Sequence, residues 1–169
     1  MTATLVLGGA RSGKTGHALE LARASGLTKF MIVTAPALDR SMASRIARHR
    51  AERENDTWTV FEEETDIARL LRRIARPDRV VVIDCLTLWL SNLFFQDRDL
   101  SHEAEQLAAA LAEAEGQIVA ISNEIGLGVS PPTQLGNDFR DAQGLINQRI
   151  ARACTQVVFV AAGLPLKLK

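Results

Sequence analysis

Residues 8–15 read GGARSGKT, directly behind the apolar run TLVLG (4–8) and ahead of a segment with helical spacing. They match GxxxxGK[ST], and a strand before with a helix after is the context in which that spacing forms a phosphate-binding loop. Gly8, Gly9, Ala10, Ser12 and Gly13 are small, and together with Arg11 they let backbone N–H groups turn inward around an anion. The start of the next helix adds the positive end of its dipole. Lys14 is then placed to reach the β and γ phosphates, and the Thr15 hydroxyl to ligate Mg2+. Such a loop requires a buried parallel strand feeding a helix, and it is built to hold a nucleoside triphosphate.

The rest of the chain supplies the remaining layers. Runs rich in Val, Ile and Phe recur as KFMIVTA (29–35), WTVFE (58–62), RVVVID (79–84), QIVAIS (117–122) and QVVFVAA (156–162). Several are apolar throughout, as strands buried on both faces should be. Between them Ile67, Leu70, Leu71 and Ile74 repeat at helical spacing, with Thr65 as the expected N-cap and Pro77 beyond the end. Ala104, Leu107, Ala108 and Leu111 make a second stripe that stops before Gly116. The expected fold is α/β, a mostly parallel central sheet flanked by helices. With 169 residues, the chain reads as one nucleotide-binding domain over residues 1–169. Residues 126–138, GLGVSPPTQLGND, read as its one long loop, because Pro131-Pro132 and the glycines oppose a continuous helix or central strand.

Twenty Lys and Arg balance twenty Asp and Glu, so anion recognition is local, and neither nucleic acid nor a membrane surface is an expected partner. Cys85 and Cys154 lack any metal-ligand spacing and read as core thiols of a reduced, cytoplasmic protein. No apolar run is long enough to span a bilayer.

A phosphate loop needs a carboxylate at the end of another buried strand to hold the hydrated metal, and Asp84 closes RVVVID. The nucleotide chemistry has three candidate classes. A signalling GTPase should carry an NKxD-like motif, and none of the asparagines begins one; an ATPase working on nucleic acid should be more basic. A small-molecule phosphotransferase remains in front. In residues 38–53, LDRSMASRIARHRAER, His49 shares a helical face with Met42 and Ile46, and Arg45 and Arg53 lie four residues to either side of it. This is either a solvated basic helix or a neutral histidine that attacks phosphorus beside two phosphate-binding arginines. His17 and His102 read as surface or packing residues.

These segments together resemble the bifunctional adenosylcobinamide kinase/adenosylcobinamide-phosphate guanylyltransferase family of cobalamin biosynthesis. The resemblance runs nearly end to end, through GGARSGKT, RIARHR around His49, WTVFEEE from Trp58, DCLTLWLSN from Asp84, SNEIGLGVSP from Ser122, FRDAQGLINQRIA from Phe139 and the terminal GLPLKLK. It implies a RecA-like phosphate-loop fold in a homotrimer whose subunit interfaces help form the active sites. It implies phosphoryl transfer from ATP or GTP to the aminopropanol hydroxyl of adenosylcobinamide. GMP transfer from GTP onto that phosphate then releases pyrophosphate, with His49 at the position of the guanylylated histidine. The alternatives are a phosphate-loop kinase of another small molecule and a nucleotide-binding module without turnover.

Carried over residue by residue, the resemblance adds Glu63 to the nucleotide site. It makes Asn123, Glu124, Arg140 and Asp141 candidates for substrate or phosphate, with Asn147 and Gln148 behind them. The chain departs from the family pattern locally. Arg40 and Ser41 stand where acidic residues are frequent, Glu64 where a proline follows the EE pair, and Asn137 where an arginine precedes FRD.

Overall fold

The computed structural model describes residues 2–35 and 57–169. They form a seven-stranded sheet from β1 (Thr2–Gly8), β2 (Thr28–Val33), β3 (Trp58–Glu62), β4 (Arg79–Asp84), β5 (Gln117–Asn123), β6 (Gln156–Ala161) and β7 (Leu164–Lys167), in the order β3-β2-β4-β5-β1-β6-β7. Every neighbouring pair is parallel except β6 with β7, which run antiparallel. The helices are α1 (Lys14–Ala24), α2 (Ile67–Ile74), α3 (Leu86–Phe95), α4 (Leu100–Glu113) and α5 (Gln134–Ala153).

Alternation along the strands divides the core in two. Val80, Val82, Val119 and Ile121 face α1 through Ala18, Leu19 and Ala22. Val81, Ile83, Ile118 and Ala120 face the other side, where α2 to α5 contribute Leu71, Leu90, Leu107 and Ile150. Each such fully buried Leu or Ile contributes roughly 1.5–3 kcal/mol over exposure. Both faces of the central strands are therefore covered, which is why their sequences lack polar alternation. Cys85 and Cys154 are free, buried thiols, as expected. No helix among the described residues is long and apolar enough to cross a membrane.

Three local expectations change. The cap of α2 is neither Thr65 nor a side chain of the flanking Asp66: Glu63 Oε1 accepts from the N–H groups of Thr65 (3.1 Å) and Asp66 (2.9 Å). The longer Glu arm reaches two donors where Thr would reach one. The region 126–138 is not all loop, because Thr133 caps α5 by accepting from Gly136 N (3.1 Å), and 134–138 form its first turns. Gly136 marks a close approach, since a Cβ there would come within 2.6 Å of Pro131 Cβ. Finally, β6 ends at Ala161 and is followed by β7, an edge strand in which Pro165 pairs opposite Val160. Proline is tolerated on an edge because no further strand needs its N–H.

Candidate active site

Parallel pairing brings the C-terminal ends of β1, β4 and β5 to one rim of the sheet, with β5 between the other two. Gly8 is in register with Asn123, and Asp84 with Ile121. The residues that leave these three ends are therefore neighbours, and ligands of open α/β sheets gather at such a rim.

From β1 the chain enters the 8–15 loop. Arg11 (φ 56°) and Gly13 (φ 96°) both take the left-handed conformation that curls successive N–H groups to one side. Gly9 O accepts from Ser12 N (3.3 Å) and from Lys14 Nζ (3.0 Å), so the lysine arches over its own loop. Burial holds the Lys14 ammonium below its usual pKa, against the attraction of nearby Cys85 and Asp84. Cys85 itself is pushed up to about 11, first by burial and then by the Asp84 carboxylate. It is thus a neutral thiol at neutral pH, leaving Asp84 as the negative partner of Lys14. Thr15 lies in the first turn of α1, half-buried.

The loop rests on the other end of the chain. Ala162 (φ 52°) and Gly163 (φ 79°) form the two-residue turn between β6 and β7, the backbone pattern of a type I′ hairpin. Gly163 N donates to Ser12 O at 2.8 Å. The fit leaves no space: a Cβ on Gly13 would lie 3.0 Å from Gly163 Cα, and one on Gly8 would lie 2.6 Å from Val160 O and nearer still to Ser12 Oγ.

The Asp84 turn is held by residues that sequence reasoning passed over. Thr34, fully buried just beyond β2, accepts from Cys85 N (2.8 Å) and donates to Cys85 O (2.7 Å), and its N–H donates to Asp84 O (3.0 Å). Asn92 on α3 donates to Thr34 O (2.8 Å) and Glu64 O (3.0 Å). At the end of β5, Asn123 N donates to Thr87 Oγ1 (2.9 Å), and Glu124 N to Gly8 O (3.1 Å). No spacing along the chain announces a threonine that acts 51 residues away.

The structure thus brings Lys14, Thr15, Asp84, Asn123 and Glu124 to one rim. Glu63 is half-buried after β3, with one carboxylate oxygen committed to the α2 cap and its N–H donated to Val33 O (3.0 Å). Arg140 ties α5 to the preceding loop, donating to Ser130 Oγ (2.7 Å) and Asp141 Oδ1 (3.3 Å). Phe139 packs edge-on against Phe94, with ring centroids 5.7 Å apart. Asn147 is buried below the rim, while Gln148 on the same helix is exposed. His49, Arg45 and Arg53 lie outside the described residues.

The donors near the rim fit Mg2+, which prefers hard oxygen ligands and keeps most of its shell as water and substrate phosphate. Thr15 supplies a hydroxyl and Asp84 a carboxylate. The described residues hold no cluster of three or more His, Cys, Asp or Glu, so they offer no all-protein cage for a different metal.

A glycine-rich loop with an arching lysine and an acid two strands away defines a phosphate-loop nucleotide-dependent transferase. The particular family follows from sequence comparison. The family profile described as cobinamide kinase / cobinamide phosphate guanyltransferase matches residues 4–168. A bifunctional adenosylcobalamin biosynthesis protein of Pseudomonas aeruginosa is 46% identical over 98% of this chain and 96% of its own length. Proteins of the same description from Escherichia coli and Salmonella typhimurium are 34% and 32% identical, each over 98% of both chains. The chain belongs to the cobinamide kinase / cobinamide phosphate guanyltransferase family, a bifunctional enzyme family of cobalamin biosynthesis, as the ordered motifs anticipated.

Proposed function

We propose that both family reactions run at the rim formed by β1, β4 and β5. In the first, the terminal phosphoryl of ATP or GTP passes to the aminopropanol hydroxyl of adenosylcobinamide. The P–O bond to the leaving nucleoside diphosphate breaks as the new P–O bond forms. Lys14 and the loop N–H groups hold the phosphate oxygens whose charge shifts during transfer. Glu124 follows the strand that lies between the phosphate loop and Asp84, and takes the hydroxyl proton. Thr15 and Asp84 would hold Mg2+, which supplies charge neutralisation to the phosphates when bound. Arg140 and Asp141 order the loop that follows Glu124, and Glu63 stands beside the nucleotide.

In the second reaction, neutral His49 attacks the α-phosphorus of GTP. A P–N bond forms and pyrophosphate leaves. An oxygen of adenosylcobinamide phosphate then attacks the same phosphorus, breaks the P–N bond and returns His49 to its starting state. Splitting the transfer lets pyrophosphate and acceptor occupy the same place in turn. Arg45 and Arg53, four residues to either side in sequence, bind phosphate oxygens.

The observation that carries this reading is the convergence at one rim of the 8–15 loop, with Lys14 Nζ arched onto Gly9 O, and the strand-end Asp84 two strands away. The homotrimer is also proposed. Leu164, Leu166 and Leu168 alternate along the edge and lie 72%, 60% and 58% exposed on one side of it, an apolar stripe that a second copy would cover. The free thiols suit a cytoplasmic enzyme.

The deciding experiment uses GTP radiolabelled at the α-phosphorus, with Mg2+. Wild type should acquire an acid-labile, base-stable label and His49→Ala none. An unlabelled wild type that still phosphorylates adenosylcobinamide would remove the histidine route and leave a kinase.

A further inference from the structure

Ser122, Gln143 and Asn147 are 0%, 1% and 6% exposed, a knot of polar side chains inside the apolar layer between β5 and α5. Gln143 and Asn147 are one helical turn apart on the inward face of α5, beside Ile146 and Ile150. Gln143 Nε2 donates to Ser122 Oγ and to Asn147 Oδ1, both at 3.0 Å, and Ser122 Oγ donates to Asn147 Oδ1 at 2.7 Å. With two donors on its oxygen, the Asn147 amide has one orientation left. Its Nδ2 donates to Asn123 O at 3.1 Å.

The knot is an expensive way to fill a core. Gln143 Oε1 is buried without a partner among the described residues, so its lost hydration is not repaid. Apolar side chains of similar size would pack here without that penalty. What the polar set achieves is directional: it fixes one backbone carbonyl, that of Asn123. The N–H of the same residue is held by Thr87 Oγ1 on α3, and the next N–H by Gly8 O. The end of β5 is therefore strung between α5, the first turn of α3 after Asp84, and the end of the phosphate-loop strand.

We infer that Asn147 is a positioning residue for phosphoryl transfer, held in orientation by Gln143 and Ser122, and that it acts by setting the backbone from which Glu124 reaches the acceptor hydroxyl. This rests on the proton-accepting role proposed for Glu124. Displacing an acid–base group by a fraction of an ångström weakens the transfer step while leaving the phosphate loop, and hence nucleotide binding, in place.

The test is a double-mutant cycle on adenosylcobinamide phosphorylation, with ATP affinity and thermal midpoint measured on every protein. Asn147→Leu keeps the volume and removes the bonds. It should lower kcat about tenfold or more, with ATP Kd within about threefold of wild type. Glu124→Gln should lower kcat further. Adding Asn147→Leu to Glu124→Gln should then cost less than about twofold, because the group being positioned no longer works. Equal losses in both backgrounds, a parallel loss of ATP affinity, or an unaffected Glu124→Gln protein would each overturn the inference. If Asn147→Leu does not fold, Thr87→Val removes the other anchor of Asn123, the bond to its N–H, and the same coupling or its absence decides the matter. A wild type that binds ATP but phosphorylates no adenosylcobinamide would overturn the functional reading itself. An active wild type with additive mutants would overturn only the positioning role.

Discussion

The phosphate loop and the Asp84 turn meet at the same rim but are held in opposite ways. The loop is mostly self-supporting: Gly9 O takes Ser12 N and Lys14 Nζ, Gly13 O takes His17 N, and the Gly163 turn adds support from below. The Asp84 turn borrows its support from side chains on other elements, Thr34 beyond β2 and Asn92 on α3. One is a local backbone device sensitive to an added Cβ. The other is a long-range side-chain device sensitive to the loss of a polar atom. Loss of the loop's charge should appear in catalysis with the fold intact, whereas an added Cβ in the loop should cost binding and stability together, and a polar atom lost from the Asp84 turn chiefly stability.

The largest effect should come from the loop's charge. Lys14→Ala is expected to reduce both phosphoryl and guanylyl transfer by on the order of a thousandfold or more, as loss of a major charge stabiliser does, with the thermal midpoint little changed. Steady-state assays of the two reactions check it; a residual rate within tenfold of wild type would refute the assignment of Lys14. Next comes Gly8→Ala. The added carbon meets Val160 O and Ser12 Oγ, so nucleotide affinity and stability should fall together, the latter by about 2–4 kcal/mol, measured by calorimetric titration and urea unfolding.

Thr34→Val probes the other device. It strips hydrogen bonds from the buried Cys85 N–H and C=O and should cost about 2–3 kcal/mol in urea unfolding, with a smaller loss of kcat than Lys14→Ala. If Thr34→Val were harmless to stability, the contrast between the two supports would be lost. A subtler effect concerns pH. The protonated Lys14 binds the triphosphate, and its folded pKa is lowered by burial. Affinity for ATP should therefore fall as pH rises, at lower pH than for an ordinary lysine. A flat affinity profile to strongly alkaline pH would contradict it. The smallest change is expected of Asn137→Ala. Its amide donates to Pro131 O (2.8 Å) and Thr133 O (2.9 Å) at a partly exposed helix start, worth about 0.5–1.5 kcal/mol. Those bonds also give the asparagine a structural task at the position where the family pattern carries arginine.

The same contrast explains what could be read from sequence. The 8–15 loop, the strands ending at Gly8 and Asp84, and the stripe of Ile67, Leu70, Leu71 and Ile74 declare themselves within a few residues, because their physics is local. Thr34, Thr87, Asn92 and Asn147 do not. Each is an ordinary polar residue until folding brings a backbone group from another element within reach. β7 has no counterpart among the runs read from sequence, because Pro165 suits a strand only at a sheet edge, and the edge exists only in the fold. Thr65 reads as the cap because near neighbours weigh most in a sequence, whereas the longer Glu63 side chain caps from further back. Thr87 and Asn92 lie within DCLTLWLSN and Asn147 within FRDAQGLINQRIA, so the motifs that carry the family assignment include them without revealing what their side chains hold.

β1 is the first strand in the chain, and its two partners are residues 117–123 and 156–160. During synthesis the phosphate-loop strand therefore emerges early and waits for neighbours made much later, and the turn that underpins the loop is made later still. A ribosome-bound fragment ending before residue 156 carries the complete nucleotide motif with neither the β6 edge nor the Gly163 support. Competence to hold a triphosphate should therefore arise abruptly, once residues 156–163 have left the ribosome and paired with β1.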